Sequence, residues 1–201
     1  MILNEPYIEQ YRQLHAATRY GRSSEKLLPQ LLPEVLELRP KTILDYGCGQ
    51  SQLVEMLKYD DQVQTFRYDP AIAEISKLPV PNADLVVNTD VMEHIPTSDV
   101  GDVLADIARI SQHALFNIAT APAGRILFNG ENAHCTVQPA SWWGETLGRH
   151  FQHVEPLRST RSTKCMFKTW KSKTLLWLPK KWWYVKETIK RRAQGEEKAA
   201  A

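Results

Sequence analysis

Short apolar runs alternate along this chain with stretches whose apolar positions recur every three to four residues. Residues 42–44, 65–70, 83–88 and 114–118 read as buried strands, while residues 52–57 and 103–110 carry helical spacing. Strands and helices alternating at this interval predict a mostly parallel sheet with helices on both faces. Upstream, residues 5–20 read as a helix with Tyr7, Ile8, Tyr11 and Leu14 on one face. Tyr20-Gly21-Arg22-Ser23-Ser24 breaks it, and Ser24 is placed to cap a second helix through Leu27, Leu31 and Leu36. Pro29 and Pro33 make that helix irregular or split it. Trp142 and Trp143 begin a further helix after Pro139, and residues 151–160 and 162–170 read as two strands.

The first strand runs into Asp45-Tyr46-Gly47-Cys48-Gly49. Two glycines let the backbone approach a ligand closely, and the helix start that follows aims free N–H groups at it. A dinucleotide fingerprint would place a third glycine at position 52, where this chain has Gln52. Asp69 ends the second strand twenty residues after Gly49, where a carboxylate can accept hydrogen bonds from ribose hydroxyls. The acid two residues before the glycines makes the turn resemble motif I of the class I S-adenosylmethionine-dependent methyltransferases. Thr89-Asp90-Val91-Met92-Glu93-His94-Ile95-Pro96 resembles that family's fourth strand and the Glu-His turn after it. The resemblance covers residues 36–154. It implies a Rossmann-like α/β fold whose last two strands form an antiparallel closing pair. It also implies S-adenosylmethionine as cofactor, with Asp45, Gly47, Cys48, Gly49, Asp69 and Thr89 around it. Cys48 reads as packing, since a small side chain suits the turn. The N-terminal segment, Tyr20 and Gly21 included, would lie over the cofactor. Two departures stand out: Ser51 replaces a common glycine, and only fourteen residues separate Asp69 from Asp84. The family pattern places a helix and a third strand there, so no acid is assigned to the adenine.

Methyl transfer from a sulfonium is an in-line displacement, which requires an oriented nucleophile and, for a hydroxyl, a base. Asp90, Glu93 and His94 are spaced so that on a helical turn they face one way. His134 lies in the loop after the 114–118 strand, and ligands of open parallel sheets bind beyond the C-terminal strand ends, where all four residues are expected to converge. Acid-x-x-Glu-His with a histidine forty residues on also resembles the metal site of small-RNA 3′-terminal 2′-O-methyltransferases, which would suit a divalent ion. Glu-His also occurs in class I enzymes that use no metal, and no ligand set is assigned. The expected function is methylation of a hydroxyl on a small molecule or glycan, including a lipid-linked one. Two alternatives stay open: a metal-assisted RNA 2′-O-methyltransferase, and a binding or regulatory protein without transferase activity. Neither an Asn/Asp-Pro-Pro-Tyr/Phe motif nor a Pro-Cys dipeptide of nucleic-acid base methyltransferases is present.

Composition adds limits. A length of 201 residues suits one domain with a real core, divided as a helical cap (1–40), a cofactor-binding domain (41–170) and a C-terminal extension (171–201). A net charge of +2 excludes little, and three scattered cysteines suit a reducing compartment. No signal segment precedes the first helix and no apolar run could span a bilayer, so the expected location is cytoplasmic, with a peripheral membrane role open. The extension prompts that role: four of six tryptophans lie from Trp170 onward among many lysines and arginines. Residues 171–192 could bind an anionic membrane surface or, with less support, nucleic acid, or could pack on the domain.

Overall fold

The computed structural model describes residues 5–18 and 23–172. Tyr20 and Gly21, and nearly all of the basic extension, lie outside the described residues. The four strands of the expected alternation and the two expected closing strands form a single sheet: β1 (Thr42–Tyr46), β2 (Gln64–Tyr68), β3 (Leu85–Thr89), β4 (Ala114–Ala119), β5 (Glu155–Leu157) and β6 (Lys164–Lys168). Their spatial order is β2-β1-β3-β4-β6-β5. The first four run parallel, and β6 pairs antiparallel with both β4 and β5. The 151–160 and 162–170 runs thus contribute shorter strands than their apolar content suggests.

Side chains alternate across the sheet, as the period of a strand requires. Leu44, Val86, Phe116 and Phe167 face α4 (Val100–Ile110) and α5 (Ala140–Gly148). Ile43, Leu85, Val87, Leu115 and Met166 face α2 (Leu28–Leu38) and α3 (Leu53–Leu57). Both faces are therefore covered, which explains strands that are apolar on both sides. The two tryptophans of α5 divide: Trp143 is fully buried against the sheet, and Trp142 packs on the same core from a partly exposed position.

The N-terminal segment forms α1 (Glu5–Ala17), then a 3₁₀ turn at Ser23–Leu27, then α2. The second helix is split at Leu27, because Pro29 sits in the first turn of α2, where its missing N–H costs nothing. Pro33 is tolerated inside α2, which ends at Arg39 in the left-handed conformation (φ 56°). Ser24 does not cap this helix; its hydroxyl donates to Ser51 Oγ at 2.8 Å. Between β2 and β3 there is only a 3₁₀ turn at Ala73–Ile75, so β2 is left as an edge strand. The sheet has one strand fewer than the family pattern for a simple reason: fourteen residues cannot form a helix and return as a strand.

Candidate active site

The cofactor-type turn is built by backbone. Gly47 and Gly49 both have positive φ, 79° and 52°. A Cβ on Gly47 would also meet the Val91 side chain at 2.7 Å, so glycine is required there twice over. The amides of Gly47 and Cys48 donate to Tyr68 O at 2.8 and 3.1 Å, stitching the turn to the end of β2. Asp69 completes it: Oδ2 accepts from the Gly49 amide at 2.8 Å and Oδ1 from the Ala71 amide at 2.9 Å. Ser51, the departure from glycine, has a local use, since its Oγ accepts the Leu53 amide at 3.0 Å and so serves the start of α3.

Asp45 is 1% exposed and neither carboxylate oxygen has a hydrogen-bond partner. Burial pushes its carboxyl up to about 7, against the opposing pull of Arg67, and Asp69 adds to the rise. Burial also pushes the Cys48 thiol up to about 12, so Cys48 is a packed thiol and no nucleophile at neutral pH.

An open cleft runs from this turn across the C-terminal ends of β1 and β3. Tyr11, Gly47, Asp69, Thr89, Asp90 and His94 are among its walls. Helix α1 forms its roof. Gln50 Nε2 donates to His15 O at 2.9 Å and Thr18 O at 3.2 Å, and Tyr11 Oη donates to Ala133 O at 2.8 Å.

The second cluster adjoins the cleft through His94, which lines it. Met92–His94 form one 3₁₀ turn, and Glu93 is fully buried with neither carboxylate oxygen in hydrogen-bonding geometry with a partner. Burial first, and the neighbouring Asp90 second, push the Glu93 carboxyl up to about 8. His134 Nε2 stands 4.0 Å from Glu93 Oε1. Its Nδ1 lies 2.6 Å from Ala121 O, and because a carbonyl only accepts, Nδ1 carries the proton and Nε2 is the basic nitrogen. His94 follows the same logic, with Nδ1 2.7 Å from Ala133 O, and burial lowers its pKa to about 4. The His134 loop is pinned by Thr136, whose amide donates to Glu93 O at 3.1 Å and whose hydroxyl donates to Ile95 O at 2.6 Å.

One ligand-type atom from each of Glu93, His94 and His134 falls within 4.8 Å of the others. Asp90 does not join them. It precedes the turn in a left-handed conformation (φ 58°), which non-glycine residues rarely adopt. That backbone aims its carboxylate elsewhere: Oδ1 meets Lys164 Nζ and Asn117 Nδ2, each at 2.5 Å, and Oδ2 accepts from Ser23 Oγ at 2.9 Å. The expectation that Asp90 shares a helical turn with Glu93 and His94 and converges with them and His134 is corrected accordingly, because the 3₁₀ turn starts only after Asp90. Tyr11, Arg67, Asn117 and Lys164 were not expected at the site. Lys164 arrives from a distant strand through the antiparallel register Ala119↔Lys164, and no local pattern signals it.

Similarity to solved structures agrees with this architecture. A Burkholderia thailandensis 1,6-didemethyltoxoflavin N1-methyltransferase, solved with 1,6-didemethyltoxoflavin and S-adenosylhomocysteine, superposes with a TM-score of 0.57 at 14% identity. The match covers 84% of this chain and 89% of that one. An O-methyltransferase family protein from the same organism gives 0.55 at 15% identity, covering 74% of this chain and 56% of that one, so this chain spans little over half of that protein. The N-terminal domain of EvdMO1, solved with S-adenosylhomocysteine and D-fucose, gives 0.51 at 12% identity, covering 83% and 96%. No protein-family model and no curated protein sequence matches the chain. The chain has the Rossmann-like class I methyltransferase fold.

Proposed function

We propose that this protein is an S-adenosylmethionine-dependent methyltransferase that methylates a hydroxyl group of a small molecule or glycan. The observation that carries the reading is the buried, unpartnered Glu93 carboxylate facing His134 Nε2 at 4.0 Å. Orphaned buried acceptors cost stability and persist where a ligand or reaction uses them. In the proposed cleft the cofactor's amino group meets Asp45, its ribose hydroxyls meet Asp69, and its sulfonium methyl faces the second cluster. The acceptor oxygen attacks the methyl carbon, and the carbon–sulfur bond breaks with its electron pair passing to sulfur. The hydroxyl proton passes to His134 Nε2, which faces the Glu93 carboxyl at 4.0 Å. The neighbouring structures solved with 1,6-didemethyltoxoflavin and with D-fucose support a small acceptor.

The test is transfer of labelled methyl from S-adenosylmethionine to a panel of phenols, monosaccharides, nucleosides and RNA 3′ ends. Glu93→Gln and His134→Ala should each lower transfer by about 100-fold or more, with S-adenosylhomocysteine affinity within about twofold of wild type. Full transfer by His134→Ala would remove the base from the mechanism. Cofactor binding without transfer to any acceptor favours the binding or regulatory reading.

A second reading is favoured by the Glu93, His94 and His134 atoms lying together. One carboxylate oxygen and two imidazole nitrogens suit Mg²⁺, Mn²⁺ or a similar ion, and the charge it supplies would ease deprotonation of an acceptor hydroxyl, such as an RNA 2′-hydroxyl. Transfer abolished by chelator and restored by Mg²⁺ or Mn²⁺ selects this reading; transfer indifferent to chelator removes it.

Cytoplasmic residence belongs with the proposal, since three free cysteines fit a reducing compartment. Among the described residues no helix is long and apolar enough to cross a membrane. Peripheral attachment through residues 171–192 would show as vesicle pelleting that fades with salt.

A further inference from the structure

Arg67 lies beneath the cofactor-type turn and is unused by the chemistry above. It sits on β2 directly opposite Asp45 of β1 in the parallel register. Its Nη2 donates to Gly49 O at 2.9 Å, and Nε is buried without a partner. One guanidinium therefore touches the carbonyl that shapes the turn and stands beside an acid whose two oxygens are bare. An arginine suits this place because its planar fork can brace a carbonyl while its charge stays fixed at any physiological pH.

We infer that Arg67 is a positioning residue for the amino-acid end of the cofactor, acting through the Gly49 carbonyl and through its charge beside buried Asp45. The inference rests on the S-adenosylmethionine reading and goes beyond it, by dividing the cofactor's binding energy between two ends of the cleft. At the ribose end, Asp69 is held by the backbone amides of Gly49 and Ala71. At the amino end, Asp45 is desolvated, and Asp69 repels its charge while Arg67 opposes both effects. The Cys48 thiol and the Tyr46 hydroxyl, the other titratable groups of the turn, both stay neutral because burial raises them. Without Arg67, the Asp45 carboxylate loses the cation that favours it until the cofactor's ammonium arrives, and the turn loses its brace.

The experiment compares two ligands by calorimetry on the full chain. S-adenosylhomocysteine carries the amino-acid end, and 5′-methylthioadenosine lacks it while keeping the nucleoside. Arg67→Met should weaken S-adenosylhomocysteine by about tenfold or more near neutral pH, the scale of a lost charge-assisted contact. It should leave 5′-methylthioadenosine within about twofold. The loss should shrink as pH rises, because Asp45 then ionises without the help of a neighbouring cation. Arg67→Lys keeps the charge and should restore the wild-type pH profile. Equal losses for both ligands would mean a merely structural arginine, and an unchanged S-adenosylhomocysteine affinity would mean none; either overturns the inference. Should Arg67→Met not fold, Arg67→Gln is judged by the same split. Failure of wild type to bind S-adenosylhomocysteine would instead defeat the underlying cofactor reading.

Discussion

Strand β6 carries a lysine at each end, and the two ends of the sheet use them in opposite ways. Lys168 is fully buried and reaches Glu34 Oε2 at 2.9 Å, Glu37 Oε2 at 3.0 Å and Ser172 Oγ at 2.6 Å. This cluster fastens α2 to the closing strands, and its charges are paired. At the other end Lys164 pairs with Asp90, which sits in a left-handed conformation, while Glu93 and Asp45 nearby stay buried with carboxyl oxygens that have no hydrogen-bond partner. The contrast separates buried charge kept for cohesion from buried charge kept for a ligand. In the first case the partners are within the chain, and in the second they must be supplied from outside.

The comparison is most exposed at Lys168. Lys168→Met strands two buried glutamates, so urea unfolding should show a loss of about 3–5 kcal/mol, while the folded protein binds S-adenosylhomocysteine as before. A loss of binding at unchanged stability would mean the cluster serves the site after all. Next in size, Gly47→Ala forces a side chain into positive φ and into Val91. S-adenosylhomocysteine affinity should drop by about 100-fold, roughly 2.7 kcal/mol, and calorimetry retaining it would show that the turn is not the cofactor's.

A smaller effect is expected at Asp69, whose Ala variant should bind S-adenosylhomocysteine about tenfold more weakly, since a carboxylate–diol pair is charge-assisted. A further effect is a pH dependence. Asp45 has a folded pKa of about 7, above its ordinary 3.8. Folding then favours the protonated acid, so this group's stabilising contribution is complete at low pH and declines as pH rises toward about 7. Asp45→Asn should flatten that decline in the ligand-free protein, giving melting temperatures that match wild type at about pH 4 and exceed it at about pH 8. Parallel melting curves across that range would show that the Asp45 charge is not buried at a cost.

Much of this was legible in the chain. Apolar runs and glycine placement located the turn, Asp45 and Asp69, because these depend on local backbone and on the ends of strands. The short interval between Asp69 and Asp84 left room for no more than a short strand or turn, and a turn is what forms there. The acceptor end was legible only in part. Glu93, His94 and His134 come together as their spacing suggests, yet Asp90 is drawn away by Lys164, which no neighbouring residue announces. The limits of β5 and β6 also shifted, because edge and closing strands end where pairing ends and not where apolar residues do.

By itself, then, the sequence determined which segments are buried, where the backbone must turn on glycine, and which acids close the first two strands. Local sterics and the period of side chains are written residue by residue. Only the tertiary structure decided which buried charges are paired. Arg67 meets Asp45 through parallel register, Lys168 meets Glu34 through packing of α2 on β6, and Lys164 meets Asp90 across β4. Those partnerships join residues far apart in the chain, and in a medium of low dielectric they decide which groups hold the fold and which await a ligand.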